Sequence, residues 1–231
     1  MNTKIFLDTV SLQDVEKYKW LISGVTTTPT FFVREGVNYN NFISNFREIY
    51  PYLELHIEAL GIDSESTIKE IEKIINSDWF DSTKVVLKIP ISFDNLKIVK
   101  HYSEKEIRFN THLVFTPNQA TLAALVNSSY VCPLIGRYAD NFSQYFGKNM
   151  HGGDSDLSRT LINEIKEVLL IIRADKTKIM GSSIRTAGDF YNAAIAGADV
   201  ITAPPKVIDE LFNHPMTSDG INIFLKDMRL I

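Results

Sequence analysis

Eight short β-prone runs alternate with longer stretches of helical spacing along this 231-residue chain, and that alternation leaves few architectures open. The runs cover residues 5–8, 24–28, 53–59, 85–89, 110–115, 130–135, 178–184 and 199–202. Between them, Leu12, Val15, Tyr18 and Lys19 sit near a 3.6-residue spacing, as do Ile68, Ile71, Ile74 and Ile75, and later Leu161, Ile165, Val168 and Leu169. Ser11 with Asp14 reads as a capping box, Asp94 precedes a periodic stretch, and Pro117 suits a first helical turn. No linker, low-complexity segment or charge block divides the chain. A single α/β domain over residues 1–231 is therefore expected, a (β/α)8 barrel of the TIM type. A doubly wound open sheet would want a glycine-rich phosphate turn after its first strand, and Asp8-Thr9-Val10-Ser11 contains no glycine.

Composition narrows function by exclusion. A hydrophobic content of 45% supplies one sizeable core, and a net charge of -4 gives no global basic field to attract nucleic acid, although local phosphate binding stays compatible with it. The single cysteine, Cys132, excludes an internal disulfide and a cysteine-rich metal site and suits a reducing compartment. The N-terminus turns polar at Asp8, short of a signal peptide's apolar stretch, and no later run is long enough to span a bilayer. The expectation is a soluble cytoplasmic protein with neither a nucleic-acid nor a membrane partner.

The run Val85-Val86-Leu87-Lys88-Ile89-Pro90 places one amine inside an apolar strand. A buried ammonium is costly to desolvate, and the neutral amine is the form that attacks a ketone or aldehyde to make a Schiff base. Bringing a lysine from about 10.4 to near 7 takes roughly 4–5 kcal/mol, which a hydrophobic barrel strand can supply. The competing reading is a lysine that snorkels to the strand end or pairs with a carboxylate.

Barrel chemistry gathers at the carboxyl ends of the strands. Asp8 closes the first run, Thr26 and Thr28 share a face near the end of the second, and Lys88 stands two residues before Pro90, which cannot donate to a ladder. In the third, Glu54, His56 and Glu58 alternate with Leu53, Leu55, Ile57 and Ala59, so one face is polar and the other packs on helices. Asn110 and His112 repeat the pattern in the fifth, Arg137 follows the sixth, and the seventh offers Ser183 and Arg185. So many polar groups inside one barrel point to a site rather than a packing core.

These segments resemble, over essentially the whole chain, the small transaldolase and fructose-6-phosphate aldolase family. The resemblance is carried by Ile5-Phe6-Leu7-Asp8-Thr9, Gly24-Val25-Thr26-Thr27-Thr28-Pro29-Thr30, Val86-Leu87-Lys88-Ile89-Pro90 and Phe115-Thr116-Pro117-Asn118-Gln119-Ala120. Tyr130-Val131-Cys132-Pro133-Leu134-Ile135-Gly136-Arg137, Met180-Gly181-Ser182-Ser183-Ile184-Arg185 and Ala196-Gly197-Ala198-Asp199-Val200 continue it in order. Any one of these is a weak signal; their succession is a strong one.

The resemblance implies a class I aldolase mechanism without a cofactor. Lys88 would attack a phosphorylated ketose, Asp8 would exchange protons with a substrate hydroxyl, and Arg137, Ser183 and Arg185 would hold the phosphate end. Alternatives remain at these positions: surface ion pairs for the two arginines and a helix cap for Asp8. Either a dihydroxyacetone unit is transferred to an acceptor, or it is released free. A barrel that binds sugar phosphate without turning it over is the non-enzymatic alternative.

Three positions depart from the family pattern. Thr28 replaces an asparagine before proline, His56 aligns where the third strand usually carries glutamate or glutamine, and His112 replaces a threonine. In the family the last two positions hold a proton-relaying water. Two histidines facing one another across the barrel would take over that relay, since imidazole both donates and accepts near neutrality. Pocket-filling side chains and a metal site built from His56, His112 and Glu54 or Glu58 are the other readings, and with the glutamates on the same face a two-residue slip in the alignment remains open.

Residues 138–154, with Phe142, Tyr145, Phe146 and Gly152-Gly153, read as a long lid or wall loop. Residues 217–229 read as a C-terminal amphipathic helix with Ile221, Phe224, Leu225 and Met228 on one side, which by the resemblance would pack on a neighbour in a ring-type homo-oligomer. His101, His151 and His214 are assigned no chemistry.

Overall fold

The computed structural model describes residues 3–59, 61–146 and 154–230, and side chains within these except over 141–158. Its eight strands are β1 (Lys4–Asp8), β2 (Gly24–Thr26), β3 (Glu54–Glu58), β4 (Val85–Pro90), β5 (Phe109–Val114), β6 (Tyr130–Pro133), β7 (Lys178–Gly181) and β8 (Val200–Ala203). All neighbours pair in parallel, and β8 returns to β1, so the sheet closes into the expected barrel. One helix follows most strands: α1 (Leu12–Tyr18), α4 (Ser64–Ile75), α5 (Phe93–Ser103), α6 (Pro117–Leu125) and α9 (Ala187–Ile195). Two follow β2, namely α2 (Pro29–Glu35) and α3 (Tyr39–Ile49); two follow β6, α7 (Ile135–Phe146) and α8 (Asp154–Ile171); and α10 (Pro205–Phe212) and α11 (Pro215–Asp227) follow β8.

Alternation decides where the apolar mass goes. Leu55, Ile57, Leu87, Ile89, Val131 and Ile201 point outward and join the helices in one large cluster. Inside the barrel, among the described residues, Phe6, Val86, Tyr130, Cys132, Met180 and Val200 form a small apolar group. The remaining interior is polar.

Several boundaries differ from the sequence expectation. The second strand stops at Thr26, and Thr28 is the extended N-cap of α2, because Pro29 at the first helical position starts the helix. Ser11 caps α1 by accepting from the Asp14 N–H, while at α5 the cap is Ser92 and Asp94 lies in the first turn. Strand β7 ends at Gly181, and Ser183 takes a left-handed backbone, φ 58°, which costs a non-glycine residue ~1 kcal/mol.

Residues 138–146 are helical, part of α7, rather than the expected loop; residues 147–153, with His151 and Gly152-Gly153, lie outside the described residues. The spacing of Tyr138, Phe142, Tyr145 and Phe146 is a helical one, and it outweighs the polar residues between them. The C-terminal helix starts at Pro215, and none of its residues is buried; Met216, Phe224 and Met228 are all exposed. Among the described residues no helix is long and apolar enough to cross a membrane.

Candidate active site

A cavity of about 490 Å³ opens at the carboxyl ends of the strands. Asp8, Thr26, Thr28, Lys88, Asn110, His112, Arg137, Ser183 and Arg185 all line it, so the polar residues singled out from sequence meet in one place, apart from Glu54, His56 and Glu58 of the third strand.

Lys88 is buried and points into the barrel. Its Nζ donates to the Thr27 carbonyl at 2.6 Å and stands 3.7 Å from Glu58 Oε2. Register explains the second contact, since Glu58 is the cross-strand partner of Lys88 between β3 and β4. The other Glu58 oxygen, Oε1, lies 2.6 Å from His112 Nε2. Burial pushes the His112 imidazole below its usual range, so the neutral ring donates from Nε2 and keeps its lone pair on Nδ1. Burial works to raise Glu58, but the bonds from His112 and the charge of Lys88 overcome it and hold the carboxyl below its ordinary value. An ionised carboxylate thus touches both an imidazole and the amine. A bulge follows directly: the β5–β6 register slips between His112 and Val114, and Leu113 between them adopts φ 57°.

Asp8 lies on the opposite side of the strand order. Thr26 donates to Asp8 Oδ1 at 2.7 Å and accepts from the Thr202 hydroxyl at 2.6 Å, which orients the carboxyl toward the cavity. Its removal from water raises the Asp8 pKa, with Lys88, Thr26 and Arg34 pulling the other way. A carboxyl so balanced can take up and return a proton. Asp8 caps no helix.

At the mouth, Arg137 and Arg34 line the cavity, and the Arg34 guanidinium lies 4.7 Å from the Phe31 ring centre. Arg185 is tied to Asp140 by a short ion pair. The Ser183 backbone fits against the first turn of α7 because Gly136 leaves room for its carbonyl.

His56 belongs to a separate layer below. It is fully buried, its Nε2 lies 2.8 Å from Glu54 Oε1, and its Nδ1 lies 2.9 Å from the amide nitrogen of Asn110. Glu54 also accepts from Tyr130 at 2.5 Å and Arg108 at 2.7 Å. Burial tends to raise Glu54, yet His56, Arg108 and Tyr130 together bring it down to about 2. The expectation that His56 and His112 face one another is therefore corrected: each serves a different carboxylate. The third-strand group beside the lysine is Glu58, one pleat repeat further along the same face. Nor do His56, His112 and a glutamate converge as ligands; among the described residues no cluster of three histidine, cysteine or carboxylate groups is arranged to hold a metal.

Glu58 entered the sequence expectation only through the two-residue slip left open in β3 and as a possible metal ligand. Its pairing with Lys88 is the outcome of that slip; Arg34, Thr202 and the Thr27 carbonyl were not foreseen. Glu58 carried a signal, the period-2 polar face of β3, but nothing in the chain says which of three equivalent residues the neighbouring strand presents to Lys88.

A lysine flanked by acid–base groups at the mouth of a closed (β/α)8 barrel defines an enzyme of the class I aldolase type. Comparison with known sequences narrows the class. The chain belongs to the family described as Transaldolase/Fructose-6-phosphate aldolase, whose model matches residues 5–229. It is 34% identical over 231 residues to a protein named probable transaldolase from Syntrophobacter fumaroxidans, covering 97% of this chain and 96% of that one. Similar proteins of the same name occur in Alkaliphilus metalliredigens, 35% identical with 97% of each chain covered, and in Agathobacter rectalis, 35% identical over 99% of this chain and 98% of its own.

Proposed function

We propose that this protein is a transaldolase-type Schiff-base enzyme acting on phosphorylated ketoses. The observation that carries the reading is the position of Lys88: buried, inside the barrel, lining the cavity and 3.7 Å from a carboxylate that can accept its proton. The free amine adds to the ketose carbonyl, and loss of water from the resulting carbinolamine leaves an iminium. As Asp8 takes the proton of the hydroxyl borne by the far carbon of the bond to be cut, that carbon–carbon bond breaks and the far carbon becomes a carbonyl. The electrons of the broken bond move to the iminium, which becomes an enamine, and an aldehyde departs. Glu58 and His112 serve the proton transfers around the nitrogen.

An acceptor aldehyde then adds to the enamine, with the proton returned from Asp8, and hydrolysis frees Lys88. Free release of dihydroxyacetone differs only in that the enamine carbon is protonated instead. Arg137, Arg34 and Ser183 at the mouth suit the phosphate dianion. The exposed apolar side of α11, with Phe224 and Met228, supports a homo-oligomer in which this helix meets a neighbour, and the composition suits the cytoplasm.

Incubation with a ketose phosphate and borohydride, followed by mass spectrometry, tests the reading. An adduct on Lys88 is expected; an unlabelled protein that still binds sugar phosphate would make it a binding barrel. Adding an aldose phosphate acceptor separates transfer from release.

A further inference from the structure

The layer beneath the cavity takes no part in the steps above, yet it fixes one atom that borders them. Glu54 accepts from Arg108 at 2.7 Å and from Tyr130 at 2.5 Å and is held far below the usual carboxylate range, so it is an ionised carboxylate, which accepts and cannot donate. His56 Nε2, 2.8 Å from that carboxylate, must therefore carry the proton. The ring is fully buried, and burial disfavours its charged form, so Nδ1 holds a lone pair. That lone pair in turn accepts from the Asn110 amide nitrogen at 2.9 Å, and the same nitrogen also leans on Met180 Sδ at 3.4 Å. With its nitrogen so engaged, the amide presents its oxygen elsewhere. Asn110 Oδ1 is buried and has no hydrogen-bond partner, on a residue that lines the cavity and is the cross-strand neighbour of Lys88. A buried acceptor left open at such a place is explained by a donor that arrives with the substrate.

We propose that the Arg108–Glu54–His56 chain locks the Asn110 amide with its oxygen toward the cavity, where it accepts from a hydroxyl of the lysine-bound three-carbon fragment, so that His56 is a positioning residue. The inference rests on the Schiff-base reading. Turning the amide over would set its oxygen against the His56 lone pair. It would also aim two N–H groups at a hydroxyl that then has to reverse its own bond.

A double-mutant cycle on kcat and KM for a ketose phosphate tests it, using His56→Phe, Asn110→Ala and the double variant. His56→Phe should lower kcat by about tenfold or more with KM changed less than about threefold, because the fragment is held covalently when the contact matters. The double variant should be no worse than Asn110→Ala alone, and His56→Gln, whose amide oxygen can accept from Asn110, should recover most of the loss. Losses that multiply, or no rescue, would overturn the proposal. Nitrogen-15 NMR of the unaltered enzyme gives a readout independent of folding defects: a neutral His56 with its proton on Nε2 supports the lock, and a proton on Nδ1 sinks it. Borohydride labelling of the same samples separates the two levels. A wild-type protein that is never labelled refutes the Schiff-base reading itself, whereas labelled protein with independent variants refutes only the lock.

Discussion

Glu58 stands 3.7 Å from Lys88 Nζ through one carboxylate oxygen while His112 holds the other at 2.6 Å. The amine and the imidazole are thus joined through a single acceptor whose ionised form both partners stabilise.

Glu58→Gln keeps an acceptor for His112 but removes the group able to take the lysine proton. The rate of adduct formation at Lys88, followed by quenching with borohydride, should fall by ~10²–10⁴-fold. An unchanged rate would mean that Glu58 only supports the wall.

His112 sits below its usual range because it is buried, and is neutral at pH 7. Protonating it removes the Nδ1 lone pair, so activity should show an acid limb displaced below the ordinary imidazole range, and this limb should be altered in His112→Thr. Profiles of log kcat against pH for the two proteins provide the check; coincident acid limbs would exclude the imidazole from proton transfer.

Asp8→Asn should separate bond cleavage from attachment. Borohydride should still label Lys88, while release of the aldehyde slows by ~10²–10⁴-fold. Loss of labelling together with cleavage would instead give Asp8 a part in the attack.

The two arginines first read as a pair should behave differently. Arg137→Ala should raise KM for a ketose phosphate by roughly tenfold or more and leave its unphosphorylated analogue nearly unaffected. Arg185→Ala should do less, because Asp140 already engages that guanidinium. Equal effects would show that the ion pair opens for substrate.

Glu54 links the buried layer to pH. Its folded pKa of about 2 lies below the unfolded value, so the stability it contributes is present above about 4.5 and is lost as pH falls toward 2, on the order of 3 kcal/mol. Urea unfolding of wild type and Glu54→Gln at pH 7 and near pH 3 should show a large difference at the first and a smaller one at the second. A gap independent of pH would assign the loss to packing.

The strand alternation, the placement of Lys88 and Asp8 at strand ends and the polar inner face of β3 were legible along the chain, because pleat and helical periods are local properties that each segment writes for itself. A period of two cannot, however, distinguish Glu54, His56 and Glu58. Each lies on the same face, and only the pairing of β3 with β4 sets Glu58 beside Lys88 and sinks His56 into the layer with Arg108 and Tyr130. The same holds for Arg185, whose residue type suits a phosphate but whose partner, Asp140, comes from a helix 45 residues away in sequence. Sequence by itself determined the kind of barrel and the kinds of groups at its mouth; register and closure, which depend on contacts distant along the chain, decided which carboxylate serves the lysine and which histidine stays out of the cavity.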